Sequence, residues 1–169
     1  MKKVFVICCL LAVLFIQNIN SQTLGDLYTE RDFTMSMPRG WQTADLGHVY
    51  PVIVGPAEGG FTPSIVFGND AYSGDISDYL DAAILMLQED LPGFRLINRA
   101  DFTTTSGLRG GSITYQISMN GISMRQKTYV LSNKGGTETM LITCTSPLTN
   151  AGNYERIFDE CVKTFNWIE

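Results

Sequence analysis

Apolar and polar positions alternate along most of this chain, and a helical period replaces the alternation twice. Phe33-Thr34-Met35-Ser36-Met37 alternates strictly and is stopped by the turn Pro38-Arg39-Gly40, with Trp41 behind it. Short strands are predicted over Tyr50 to Gly55 and Ser64 to Gly68, separated by the loop Gly55-Pro56-Ala57-Glu58-Gly59-Gly60. The pattern then changes to a stripe of Tyr79, Leu80, Ala83, Ile84, Leu87 and Leu91, the spacing of a helix lying on a sheet. Ser77 is the expected cap. Asp78 and Asp81 fall in the first turn, where the helix dipole favours negative charge, and Pro92-Gly93 ends the element.

From Phe94 the alternation returns. Strands are predicted over Phe94 to Phe102 and over Leu108 to Met119, and Asn120-Gly121 then supplies a hairpin turn, since both residues tolerate positive φ. That turn fixes a register. Met119 faces Ile122, Ile117 faces Met124, Tyr115 faces Gln126 and Ile113 faces Thr128 on a largely apolar side. Ser118 with Ser123, Gln116 with Arg125, Thr114 with Lys127, and Ser112 with Tyr129 make a polar side. Lys134-Gly135-Gly136 turns the chain into a last strand, Thr137 to Thr145. A closing helix is expected from Asn150 to Lys163, with Tyr154, Ile157, Phe158, Cys161 and Phe165 inward. Consecutive strands joined by short turns predict an α+β domain, an antiparallel sheet of about seven strands flanked by two main helices.

The first residues follow a different rule. Met1-Lys2-Lys3 is cationic, an unbroken apolar run extends from Val4 to Ile16, and a polar stretch ends at Ser21. This is the layout of a Sec-type signal peptide over residues 1–21, leaving residues 22–169 as a single domain that begins near Gln22. The apolar run is shorter than the ~20 residues a membrane span needs, so no stable anchor is expected after cleavage. Cys8 and Cys9 come too early in the run, and without a small residue before them, for lipid attachment. The expected location is periplasmic or secreted.

The full chain carries 12 basic and 17 acidic residues. Cleavage would remove Lys2 and Lys3 and leave the balance more acidic. No Lys/Arg cluster is present, which argues against nucleic acid and anionic membrane surfaces as partners. Cys144 and Cys161 survive processing and would point into the same layer of core. Exported proteins permit a disulfide between such a pair, and two buried thiols that pack as small hydrophobes are the alternative.

The chemistry-bearing residues do not assemble into a motif. His48 is the single histidine and nothing adjacent completes a triad. His48, Cys144 and Cys161 are too few and too separated for an ordinary zinc site. Asp70, Asp75, Asp78 and Asp81 lack the alternating spacing and closing Glu of a calcium loop, and capping with solubility accounts for them. Gly107, Gly110 and Gly111 precede a strand and read as a hairpin corner rather than a phosphate loop. No catalytic, metal or cofactor-binding residue is therefore assigned, and no cofactor is expected. The best candidate for contact with a partner is the polar hairpin face bearing Gln116, Arg125, Lys127 and Tyr129, set against a solvated or internally covered face.

Phe33-x-Met35-x-Met37-Pro38-x-Gly40-Trp41, Pro63-Ser64-Ile65-Val66-Phe67, Phe102-x-x-x-x-Gly107 and a closing helix leading to Phe165 span most of residues 22–169. Together they resemble the PsbP-like superfamily, which includes DcrB-like periplasmic proteins and related bacterial lipoproteins. The resemblance implies an α/β/α sandwich around an antiparallel sheet, in proteins that mostly serve as accessory or binding proteins without catalysis. The chain departs from the lipoprotein members in having no usable lipid-attachment cysteine, and no functional residue is carried over. The expected role is an exported, non-enzymatic accessory or binding domain acting through its surface on a protein or small ligand of the cell envelope. An exported hydrolase assembled from scattered residues, or a subunit of an envelope complex, are the alternatives. The first predicts a deep cleft with a perturbed titrating group and the second an exposed apolar patch.

Overall fold

The computed structural model describes residues 24–119, 121–133 and 135–168. The expected signal segment, with Cys8 and Cys9, lies outside the described residues, as do Asn120 and Lys134 of the two predicted turns. Seven strands form one antiparallel sheet in the order β3-β4-β5-β9-β8-β7-β6: β3 (Gln42–Ala44), β4 (Val52–Val54), β5 (Ser64–Asp70), β6 (Arg95–Thr103), β7 (Arg109–Met119), β8 (Ile122–Ser132) and β9 (Thr139–Pro147). A second sheet of three strands runs β1 (Leu24–Thr29), β2 (Phe33–Pro38) and β10 (Asn166–Trp167), with β2 in the middle. The strictly alternating Phe33 segment is thus a strand of the small sheet, and the unpredicted β3 takes its place in the large one.

The hairpin register is the one the turn dictates. Ile113↔Thr128, Tyr115↔Gln126, Ile117↔Met124 and Met119↔Ile122 are directly opposed, as are Ser112↔Tyr129, Thr114↔Lys127 and Gln116↔Arg125. Gly121 closes the turn with φ +78°, a conformation that an L side chain would oppose.

Helix α1 (Ile76–Asp90) begins one residue before Ser77. Its cap is Asp75, whose carboxylate accepts from the Ser77 backbone N–H at 2.6 Å, while the Ser77 hydroxyl is used by Arg99. An acidic cap two residues upstream does the work expected of the serine, because a carboxylate also matches the positive end of the helix dipole. Its apolar stripe packs on one face of the large sheet, where Leu80 meets Ile113, Tyr115, Ile117 and Val130.

Helix α2 (Ala151–Val162) and the small sheet close the opposite face. Tyr154, Phe158, Val162 and Phe165 join Phe33 and Met35 over Phe67, Tyr129, Leu131, Met140, Ile142 and Cys144. Phe33 is fully buried and its ring lies 4.9 Å from Phe67, 5.1 Å from Phe165 and 5.4 Å from Tyr50, so it ties both sheets and the chain end together. The result is an α/β/α sandwich with a core on each side of the sheet. Among the described residues no helix is long and apolar enough to cross a membrane.

Candidate functional site

The polar hairpin face does not reach solvent as an open surface. Arg125 is paired with Glu155 of α2 at 2.8 Å and Lys127 with Asp159 at 2.6 Å. Tyr129 is fully buried and its hydroxyl donates to the same Asp159 oxygen at 2.7 Å. Gln116 is half-buried beside them. The structure therefore brings the four expected contact residues together, with Arg125, Lys127 and Tyr129 bonded to the chain's own closing helix and Gln116 opposite Arg125 on β7. Away from its turn, where Met119 and Ile122 are exposed, the hairpin is covered on both faces, one by an apolar helix stripe and the other by a helix that brings matching charge.

The two cysteines point into that same layer. Both are buried and both are free thiols, so the pair is unbridged in this structure. Burial pushes the Cys161 thiol up to about 12, with Glu160 adding to it, and pushes the Cys144 thiol well up, with Cys161 adding to it. A raised thiol pKa means the fold holds the proton more tightly than the unfolded chain does. Its contribution is complete below the ordinary thiol value of 9.0 and is lost as pH rises from there through about 12. The urea midpoint is expected to be flat up to mild alkalinity and then to fall across that window, and to fall less steeply in Cys161→Ala. An unchanged slope in the variant would assign the alkaline loss to other groups.

His48 is exposed on the loop between β3 and β4, away from the open clefts described next. Among the described residues no group of three or more His, Cys, Asp or Glu side chains could hold a metal ion.

Open concave surface lies on the α1 side. The helix packs on β7 and β8, and the β5–β9 half of the same sheet face carries half-buried Val66 and Thr143, directly opposed in register. One cleft, of about 520 Å³, opens beyond the first turn of α1, with Ile76, Leu80 and Leu108 on its floor and Arg99, Asp101 and Arg109 at its edge. Arg99 is already engaged, donating to the Ser77 carbonyl at 3.1 Å and pairing with Asp81 at 3.2 Å. The glycine corner found in the sequence forms part of this rim: Gly107 has φ +85°, and Gly110 lies beside it.

The second is a groove of about 350 Å³ along the flank of α1, lined by Asp70, Tyr72, Asp78, Tyr79, Ala82, Ala83 and Met86. Its two rings meet edge-to-face at 4.9 Å between centroids. The Tyr79 hydroxyl donates to Asp70 at 3.1 Å and the Tyr72 hydroxyl to the Asp75 carbonyl at 3.2 Å. Tyr79 is pushed up to about 12, first by burial and then by Asp70, so its hydroxyl stays a donor at any physiological pH. Sequence reasoning placed Tyr79 and Ala83 on the core stripe and explained the acids as cap and solubility. The groove escaped it because β5 brings Asp70 and the following loop brings Tyr72 to the helix flank only in three dimensions.

No family model and no curated protein matches the sequence. Solved structures do. The chain is similar to Mycobacterium tuberculosis LpqN, described as involved in cell envelope biogenesis, at 18% identity over 84% of this chain and 88% of that one, with a TM-score of 0.62. It is similar to the cyanobacterial PsbP protein CyanoP of Synechocystis at 12% identity, over 86% of this chain and 94% of that one, with a TM-score of 0.63. The Ran-binding protein Mog1p of Saccharomyces cerevisiae matches at 13% identity, over 79% and 89% of the two chains, with a TM-score of 0.55. Such identities establish the fold alone. The chain has the PsbP/Mog1 sandwich that its sequence landmarks resemble.

Proposed function

We propose that the protein is an exported, non-enzymatic accessory domain that holds a protein partner through the α1 side of its sheet. The observation that carries this reading is the asymmetry of the two faces. The α2 face of the large sheet is covered by the helix, the small sheet and two ion pairs, whereas the two clefts described above lie on the α1 side beside Leu85 and Met86, exposed at 65% and 56%. Leu27 and Ile168, at 63% and 45%, are exposed separately on the small sheet and just beyond it. An accessory role is supported by where the reactive side chains lie: His48 on an outer loop and the thiols inside the core, neither lining the two clefts described above. LpqN and Mog1p, with the same fold, are described by cell envelope biogenesis and Ran binding, which fits a binding role for this sandwich. Export rests on the leader, residues 1–21, and the domain assignment on residues 22–169.

The test is capture from the native envelope fraction by the wild-type protein, by a Leu85→Glu/Met86→Glu variant and by His48→Ala. The wild type and His48→Ala are expected to retain the same partner, and the α1 variant to lose it while keeping its unfolding midpoint. Terminal sequencing of native material should give a start within a few residues of Gln22. Loss of the biological activity in His48→Ala with the fold intact would overturn the non-enzymatic reading, and retention by the α1 variant would overturn the choice of face.

A further inference from the structure

We infer that the groove on the flank of α1 recognises a lysine or arginine side chain presented beside an apolar residue by a segment of a partner protein. The inference rests on the α1 face being the binding face and adds the chemistry of what binds there.

The groove is built for a cation with an aliphatic stem. The Tyr72 and Tyr79 rings offer π surface, and Asp70 and Asp78 stand at its ends. Asp78 is exposed and has no ion-pair partner among the described residues, so a charge arriving from outside meets an uncommitted carboxylate. Ala82, Ala83 and Met86 form the apolar wall on which a methylene stem can lie. Met86, exposed at 56%, offers the residue next to the cation an apolar seat, and Leu85 is a second exposed apolar side chain on the same helix.

Charge and rigidity point the same way. Helix α1 contains no lysine or arginine anywhere in Ile76–Asp90, and the carboxylates of Asp78, Glu89 and Asp90 are exposed along it. Arg99 meets the helix at Ser77 and Asp81, and the groove lining itself carries only acidic charge, which disfavours acidic segments and steers basic ones. The rings are held before anything binds. The Tyr72 hydroxyl end folds back across Gly74, 2.3 Å from where a Cβ would stand. The Thr139 hydroxyl holds the Tyr72 carbonyl at 3.3 Å and Asp70 holds the Tyr79 hydroxyl, so little order has to be gained on binding.

The experiment uses the purified protein and a set of synthetic hexapeptides. Each carries one central Lys or Arg between Leu, Met or Phe, with matched peptides having Glu at the centre or Ser at the flanks. Binding is followed by titration calorimetry and by the ring resonances of Tyr72 and Tyr79. Cationic peptides with apolar flanks are expected to bind and to shift both rings. Affinity should fall about tenfold in Asp70→Asn/Asp78→Asn, the size of one charge-assisted cation–ring contact. It should fall similarly in Met86→Gln and weaken with added salt. Asp26→Asn/Asp101→Asn removes equal charge from β1 and from the other cleft and should change nothing. Equal binding of Glu-centred peptides, an equal loss in the Asp26/Asp101 control, absence of binding by any cationic peptide, or self-association that occupies the groove would each overturn the inference. If native capture still depends on Leu85 and Met86 while the peptides fail, the binding face stands and only its cationic specificity falls.

Discussion

Gly110→Ala is expected to destabilise the protein by about 3 kcal/mol or more, at or beyond the upper end of ordinary overpacking. Gly110 sits in β7 between Phe102 of β6 and Leu131 of β8. A Cβ built on it would lie 2.1 Å from the Val130 carbonyl oxygen and 2.8 Å from a Leu131 methyl. The first obstacle is backbone, so no rotamer change relieves it, and β7 and β8 must part where β7 begins. Gly111 differs although it is adjacent: its Cβ would meet the end of the Leu80 side chain at 2.4 Å, and a leucine tip can swing aside. Gly152 is the control, since nothing lies within 4 Å of its Cβ position in α2. Gly152→Ala should stabilise by roughly 0.5–1 kcal/mol through helix propensity alone. Urea unfolding of the three variants checks the ranking. A Gly110→Ala protein with a native midpoint would mean that the β7–β8 pairing is looser than described.

The same contrast shows which parts of this fold are readable from sequence. The β7–β8 register follows from period-two alternation and one turn, both local, and every opposed pair matches it. The α1 stripe was equally local. Strand β1 was not readable, because Leu24–Thr29 lacks alternation and is held by the backbone of β2. Strand β3 has three residues, two of them exposed, and no pattern to detect. The surroundings of the polar hairpin face were unreadable for a deeper reason. Gln116, Arg125 and Lys127 look alike in sequence whether they meet water or a charged helix. A signal was available, however. Arg125 and Lys127 are two residues apart on a strand, a repeat of ~6.7 Å, and Glu155 and Asp159 are four apart on a helix, a repeat of ~6.0 Å. Cations and acids at matching repeats, with the acids flanking the buried stripe of Phe158 and Val162, mark the closing helix as the cover for that strand.

That match makes the buried charge cluster the second large effect. Asp159 accepts from both Lys127 and Tyr129, at 2.6 and 2.7 Å, between the sheet and α2. The side chains of Lys127 and Asp159 are 13% and 33% exposed, which places the pair between a surface bridge and a fully buried one. Asp159→Leu should therefore cost about 2–4 kcal/mol, above the ~0–1 kcal/mol of surface pairs and short of the most buried ones. Most of that cost is the ammonium and the phenol left without an acceptor, not the attraction itself. Removing the stranded groups should then restore stability: Lys127→Met/Tyr129→Phe/Asp159→Leu is expected within ~1 kcal/mol of wild type, since apolar replacement of a buried pair is often neutral. Such recovery is non-additive, as residues sharing one acceptor must be. The readout is the chemical denaturation midpoint of the single and triple variants. If Asp159→Leu alone costs less than ~0.5 kcal/mol, the face is open to water. Helix α2 would then be a loose cover, and the hairpin surface bearing Arg125 and Lys127 would return as the place where a partner binds.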